Sequence, residues 1–200
     1  MEIYLIRHTT PAVEAGTCYG QADLDVIETF EQEASIIKQY LPSTITQVYS
    51  SPLQRCKKLA DYLFPEHDIN YQSNLKEISC GSWELQKWND IPQEVLMPWM
   101  NDFVNVRIPE GESYLDLYNR VVNCFTSIVL QTLPAAIISH GGVMRSILSH
   151  ITRTPLDKSF EAFKLEYGCV VKVELKENTF AHHILSNIPS ASQRNKPSAY

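Results

Sequence analysis

Short apolar runs alternate with segments of helical periodicity along most of this chain. Residues 3–6 and 135–139 are continuous apolar runs, typical of strands that are buried on both faces of a sheet. Less regular runs predict four more strands, at residues 45–49, 68–72, 168–175 and 180–185. We expect the strand at residues 68–72 to lie at an edge of the sheet.

Between the strands, apolar residues recur at helical spacing. Phe30, Ala34, Ile37 and Leu41 predict a helix that ends at Pro42. Further helices are predicted after Ser51, after Ser113 and over residues 143–151. Helix-start signals precede the first three of these four helices: Thr29 with Gln32, Ser51 followed by Pro52, and Ser113 with Asp116.

The alternation of strands and helices predicts an α/β three-layer sandwich, with a mainly parallel central sheet and helices on both faces. Residues 84–111 break this pattern with aromatic residues and three prolines, and they predict a small helical cap over the sheet edge. We expect one domain over residues 1–186. Residues 187–200 are polar and hold two prolines, so we expect a flexible tail there.

Composition restricts the partners of the protein. The chain has 200 residues, 44% of them hydrophobic, and a formal net charge of −6, which argues against binding to nucleic acid or to an anionic membrane. We expect neither a signal peptide nor a membrane span. The five cysteines are scattered and form no C-x-x-C pair, which is typical of reduced thiols in the cytoplasm. The sequence leaves both a monomer and a homo-oligomer open.

Two histidines follow the two apolar runs directly. His8 comes after Arg7 at the end of the first run, and His140 comes before Gly141 at the end of the other. In open α/β sheets, ligands bind at the carboxyl ends of the strands. Arg55 lies in the first turn of a predicted helix, and a helix N-terminus after a strand is an anion site. Two imidazoles and two guanidiniums suit a phosphoryl group, which a histidine can attack to form a phosphohistidine.

Phosphoryl transfer also needs an acid that protonates the leaving oxygen. Glu77 and Glu84 are both candidates, and the residues alone do not choose between them. Gly141 and Gly142 allow the backbone to approach an oxyanion closely. No nucleotide-binding glycine motif is present, and we expect no metal and no cofactor.

Five motifs in order resemble the histidine phosphatase superfamily, in its phosphoglycerate-mutase-like branch. They are Arg7-His8-Thr9, Ser50-Ser51-Pro52-x-x-Arg55, Leu75-x-Glu77-x-x-x-Gly81-x-Trp83-Glu84, Pro109-x-Gly111-Glu112-Ser113 and Ser139-His140-Gly141-Gly142. A narrower resemblance, through Arg7-His8-Thr9-Thr10-Pro11 and Cys18-Tyr19-Gly20-Gln21-x-Asp23, is to the α-ribazole-5′-phosphate phosphatases of cobalamin biosynthesis.

The resemblance implies a role for each matching residue. It makes His8 the nucleophile and Glu77 the acid, with Glu84 structural. It makes Arg7, Arg55 and His140 the holders of the phosphoryl oxygens, which also stabilise the transition state. Thr9 and Gly141 are further candidates for substrate binding.

Two positions depart from the family pattern. Thr9 replaces the usual glycine after the nucleophile, and its hydroxyl offers a donor to phosphate. Glu14 replaces an asparagine that contacts phosphate, so we expect the loop after His8 to take a different path.

The expected function is hydrolysis of a small phosphorylated metabolite through a phosphohistidine, with α-ribazole 5′-phosphate as the first candidate substrate. The alternatives are a broad-specificity phosphatase, a phosphoglycerate mutase and a non-catalytic protein that binds a phosphorylated ligand. Mutases of this branch usually carry arginine directly after the acid. Ile78 stands there instead, which favours hydrolysis.

Overall fold

The computed structural model describes residues 2–131, 134–177 and 179–187. The strands are β1 (Glu2–Arg7), β2 (Gln47–Ser50), β3 (Ile69–Tyr71), β4 (Ala135–Ser139), β5 (Val170–Lys176) and β6 (Thr179–Ser186). The helices are α1 (Phe30–Lys38), α2 (Gln54–Leu63), α3 (Gln93–Asn101), α4 (Tyr114–Val129), α5 (Gly141–Thr152) and α6 (Ser159–Ala162). The expected flexible tail lies, from residue 188 onward, outside the described residues.

The strands form one mixed sheet in the order β3-β2-β4-β1-β5-β6. The four strands from β3 to β1 are parallel to one another, and β5 and β6 are antiparallel additions beyond β1. The prediction of a mainly parallel sheet is therefore confirmed, and β3 lies at an edge as expected.

Neighbouring residues of the central strands face opposite layers. Leu5 and Ile137 pack with α4 and α5 in one core, whereas Ile6 and Ile138 pack with α1 and α2 in the other. This alternation follows from the two-residue period of a strand. It explains why the apolar runs are continuous, since both faces of β1 and β4 are covered, and it confirms the three-layer architecture.

The aromatic segment forms short helices, as predicted. Helix α3 and two 3₁₀ turns surround a separate small core in which Trp88 and Trp99 stack with their ring centroids 5.8 Å apart. Trp83 meets both rings edge-on, at 6.3 Å and 5.6 Å. Most of the aromatic surface of this segment is therefore used for its own packing.

Of the three predicted helix starts, one is placed wrongly and one lacks its expected side-chain cap. Thr29 is the N-cap residue of α1, as predicted, but its side chain accepts no capping hydrogen bond, and its hydroxyl donates to Glu33 one turn along the helix. Helix α2 begins at Gln54 and not near Pro52, and the amide of Gln54 donates to Asp23 at 2.6 Å. The third start is confirmed, because Ser113 and Asp116 form a reciprocal capping box on α4.

Two further expectations concern the whole chain. Over the described ranges, no helix is both long and apolar enough to cross a bilayer. All five cysteines are buried with free thiols. They pack as small side chains in the three cores, for example Cys56 on the buried face of α2 and Cys18 beneath the aromatic segment.

Candidate active site

The two histidines lie side by side at the carboxyl edge of the sheet. Strands β1 and β4 are parallel neighbours, with Arg7 paired to Ser139, so the next residue of each strand is a histidine. The amide of His8 continues the ladder by donating to the carbonyl of Ser139. The rings of His8 and His140 meet edge-on, with their centroids 5.1 Å apart. Both are buried.

The hydrogen bond of His8 determines its tautomer. Its Nδ1 lies 2.7 Å from the carbonyl oxygen of Thr9. A carbonyl only accepts, so Nδ1 carries the proton and Nε2 keeps its lone pair. Burial lowers the pKa of His8 well below its usual value, and the charges of Arg55 and Arg7 lower it further. His8 is thus a neutral imidazole with a free, nucleophilic Nε2.

His140 is also held in the neutral form. Burial is the main cause that lowers its pKa well below the usual value, followed by the charge of Arg55. Its Nε2 lies 2.8 Å from the hydroxyl of Ser51, which follows β2. As the N-cap residue of α5, His140 stands where the free amides of that helix begin.

Each of the two predicted arginines is braced by a tyrosine. The guanidinium of Arg7 lies 4.1 Å from the ring centre of Tyr167, and that of Arg55 lies 5.6 Å from the ring centre of Tyr19. The two tyrosine hydroxyls are 2.6 Å apart. The Nε of both arginines is buried without a hydrogen-bond partner among the described residues. These two donors are therefore available to an anionic ligand.

Arg55 and Glu84 together fix one loop. The guanidinium of Arg55 donates to the carbonyls of Gly20 and Ala22, at 2.7 Å and 2.9 Å. The carboxylate of Glu84 accepts the amides of residues 20, 21 and 22 and also that of Cys80. With four backbone donors on its two oxygens, Glu84 is a structural anchor of this loop, and Glu77 is the carboxylate at the sheet edge.

Glu77 is held at the first turn of α5. Its Oε2 accepts the amide of Gly142 at 2.9 Å, and its Oε1 accepts the amide of Ile78 at the same distance. A Cβ at position 142 would lie only 2.3 Å from Oε1 of Glu77. The second glycine after His140 therefore makes room for this carboxylate.

The backbone around Glu77 is fastened by an ion pair that the sequence did not reveal. Arg120 on α4 donates to the carbonyls of Asn74, Lys76 and Glu77, at 2.7–2.9 Å. It also binds both carboxylate oxygens of Glu112, at 2.7 Å and 2.8 Å. All five guanidinium N–H groups are thus used, which is the full capacity of the side chain.

The two positions that depart from the family pattern are now placed. Thr9 is fully buried, and its hydroxyl has no partner among the described residues. Glu14 points into solvent and pairs with Lys87 at 2.6 Å. The side chain of Glu14 therefore does not oppose a phosphate.

Residues 3–187 match the family profile of the histidine phosphatase superfamily (branch 1). The chain belongs to the histidine phosphatase superfamily. As a member of it, the protein is an enzyme that acts on phosphoric monoesters. A curated relative named "Probable phosphoglycerate mutase GpmB", from Salmonella arizonae, is 29% identical over 167 residues, which cover 78% of this chain and 76% of the relative.

Solved structures share the fold of this histidine phosphatase. One is the α-ribazole phosphatase from Shigella flexneri, with a TM-score of 0.83 and 21% identity over 92% of this chain and 96% of that one. Another is a mycobacterial glucosyl-3-phosphoglycerate phosphatase with inorganic phosphate, with a TM-score of 0.77 and 17% identity over 95% of this chain and 98% of that one. At these identities the likeness concerns the architecture of the chain.

The structure brings all the predicted site residues of this histidine phosphatase to one edge of the sheet and adds others. Tyr19 and Tyr167 contact the arginines, and Arg120 holds the backbone of Glu77. Arg145 on α5 comes close to Arg7. Tyr19 lies in the motif at residues 18–23, whereas the only sequence signal for the other three was their residue type.

Proposed function

We propose that this chain hydrolyses phosphomonoesters through a phosphohistidine on His8. The observation that carries the proposal is the state of that imidazole. Its Nδ1 is tied to a carbonyl, its pKa is lowered, and its Nε2 is left free beside two guanidiniums. A neutral, oriented nitrogen next to cations that attract a phosphate has the properties of a phosphoryl acceptor.

In the first half of the reaction, Nε2 of His8 attacks phosphorus and the bond from phosphorus to the leaving oxygen breaks. The carboxylic acid of Glu77 gives its proton to that oxygen, so the alcohol departs neutral. Arg7, Arg55 and His140 stabilise the charge on the remaining phosphoryl oxygens. The hydroxyl of Thr9 and the amide of Gly141 are further donors to the same group.

In the second half, water attacks the phosphohistidine. The Glu77 carboxylate takes a proton from this water, the N–P bond breaks, and inorganic phosphate leaves. Nε2 of His8 regains its lone pair, and the enzyme returns to its starting state. Glu77 thus acts first as acid and then as base. In both steps its Oε2 can keep the hydrogen bond that it accepts from the Gly142 amide, so the backbone need not move.

The phosphohistidine is tested with a ³²P-labelled phosphomonoester. Brief mixing and quenching should leave a label that is stable in base and labile in acid, on His8. His8→Ala should abolish both label and turnover, whereas His150→Ala, at an exposed histidine, should change neither. Wild-type turnover in His8→Ala would show that another group is the nucleophile.

The acid is tested by its dependence on the leaving group. Glu77→Gln should slow an alkyl phosphate, whose leaving alkoxide needs a proton, far more than p-nitrophenyl phosphate. Equal slowing of both substrates would assign the acid elsewhere, and Glu84→Gln would be the next variant.

For the substrate, we propose α-ribazole 5′-phosphate. The narrower sequence resemblance and the α-ribazole phosphatase of the same fold support this choice. A phosphoglycerate mutase is the second candidate, because curated relatives carry that name. Ile78, packed among apolar side chains beside Glu77, supports hydrolysis, since it offers no cation to a second substrate group.

A panel of substrates separates these candidates. Fast release of phosphate from α-ribazole 5′-phosphate alone supports the proposal, and similar rates on many phosphomonoesters indicate a broad-specificity phosphatase. Conversion of 3-phosphoglycerate that depends on a bisphosphate primer would indicate a mutase. Binding of phosphorylated ligands without turnover or label would indicate a non-catalytic protein.

A further inference from the structure

Arg145 lies beside Arg7 at the start of α5, although it belongs to no motif of the proposed site. A Cβ built on Gly141 would lie 2.9 Å from Nη1 of Arg145 and 3.3 Å from Cζ of Arg7. Both guanidiniums therefore border the first residue of α5. Arg145 reaches this point from one turn further along the same helix, with its side chain directed toward the helix N-terminus, as helical side chains generally are.

The guanidinium of Arg145 is oriented by two contacts. Its Nε donates to the carbonyl of Phe163 at 3.0 Å, and its Cζ lies 4.6 Å from the ring centre of Phe160. Its two Nη groups have no acceptor among the described residues. The hydrogen bond from Nε and the stacking on Phe160 would be sufficient if Arg145 only supported the segment around α6. That role gives no function to the Nη groups.

The charge of this pair has no close counterion among the described residues. Over the described residues, neither Arg7 nor Arg145 has a carboxylate oxygen within 4.0 Å. Burial lowers the pKa of Arg145 and the charge of Arg7 lowers it further, whereas the more distant Glu77 carboxylate raises it, but an arginine stays charged. The N-terminus of α5 adds partial positive charge at the same point. Two partly buried cations and a helix N-terminus favour an anion between them.

We propose that Arg145 is a third guanidinium of the phosphoryl site, which donates from its Nη groups to a phosphoryl oxygen shared with Arg7. The assignment rests on the proposed function only in taking a phosphoryl group as the anion. The first turn of α5, Arg7 and Arg145 then surround one side of that group, and Arg55 with His140 surround the other.

The experiment measures the affinity of the intact protein for inorganic phosphate, by calorimetry and by competitive inhibition. Phosphate has no leaving group, so a change in its affinity reports contact with the phosphoryl group itself. Arg145→Gln should weaken phosphate binding about 10–100-fold, as expected for the loss of charge-assisted hydrogen bonds. Arg145→Lys, which keeps the charge but not the planar fork, should give an intermediate affinity.

Arg153→Gln is the matched control. Arg153 is the exposed C-cap residue of the same helix, so the variant makes an equal change of net charge at the opposite end of α5. It should bind phosphate as the wild type does. Thermal unfolding without phosphate checks the fold of each variant, and Arg145→Lys supplies the result if Arg145→Gln does not fold.

Phosphate affinity equal to that of the wild type in both Arg145 variants would overturn the proposal. A lower melting temperature with unchanged phosphate affinity would instead make Arg145 a brace for α6. A loss limited to carboxylate-bearing substrates, such as 3-phosphoglycerate, would place Arg145 against the leaving group and would also overturn the assignment. A wild-type protein that binds phosphate but hydrolyses nothing would refute the proposed function alone.

Discussion

A single methyl group at position 142 is expected to displace the proposed acid. The amide of Gly142 donates to Oε2 of Glu77 at 2.9 Å, and Gly142→Ala keeps this donor. The new Cβ, however, would lie 2.3 Å from Oε1 of Glu77 and 2.9 Å from Cδ2 of Leu117. Leu117 is fully buried, so the carboxylate is the group with more freedom to move.

The geometry gives the size of the effect. The carboxylate must retreat by about 1 Å to restore an ordinary contact, and a misplacement of that size costs on the order of 100-fold in rate. This corresponds to about 2.7 kcal/mol of transition-state stabilisation. Stability should change less, because the gain of about 1 kcal/mol from alanine in a helix opposes the strain of about 1–3 kcal/mol against Leu117.

The assay compares kcat/KM for an alkyl phosphate and for p-nitrophenyl phosphate. Gly142→Ala should slow the alkyl ester about 100-fold and the nitrophenyl ester only a few-fold, because the latter leaving group needs little protonation. Gly16→Ala is the control, since its Cβ would meet nothing within 4 Å and its positive φ should affect stability only. Equal losses on both substrates, or no loss, would refute the reasoning about Glu77.

Two further predictions concern stability. In Arg120→Lys, the lysine can donate at most three hydrogen bonds in place of the five of arginine. Because the Arg120 side chain is only 18% exposed, this variant should lower the free energy of unfolding by about 2–4 kcal/mol. It should also slow the hydrolysis of alkyl phosphates selectively. As the control, Arg107→Lys changes an exposed ion pair and should alter the free energy of unfolding by less than about 0.5 kcal/mol. Equal losses of stability in the two variants, measured by urea unfolding, would contradict the role of Arg120. Folding lowers the pKa values of His8 and His140, so below about pH 6.5 the unfolded chain binds more protons than the folded chain. As the pH falls through this range, the free energy of unfolding should therefore decrease by up to about 2.7 kcal/mol per pH unit. Equal urea midpoints at pH 6.5 and 5.5 would show that both imidazoles are protonated in the folded state.

Local pattern was sufficient for most of the fold. The apolar runs at β1 and β4 and the periodicity of α4 are properties of neighbouring residues, so they can be read directly along the chain. The misplaced start of α2 has the opposite cause. Helix α2 is capped by Asp23, thirty-one residues away, and such a contact leaves no mark near Ser51.

The chemical character of the site could be predicted from local patterns and motif order. His8 and His140 end two buried strands, and the carboxyl ends of parallel strands meet at one edge, so their proximity follows from the pattern. The order of the motifs likewise indicated Arg7, Arg55 and Glu77.

The protonation state and the position of these groups depend on contacts that form only in the folded chain. The tautomer and lowered pKa of His8 depend on the carbonyl of Thr9 and on burial by other segments. The place of Glu77 depends on Arg120, and the charge beside Arg7 depends on Arg145. These are through-space interactions between segments far apart in the chain, and their energies are set by distances and by the exclusion of water, which a linear pattern does not contain.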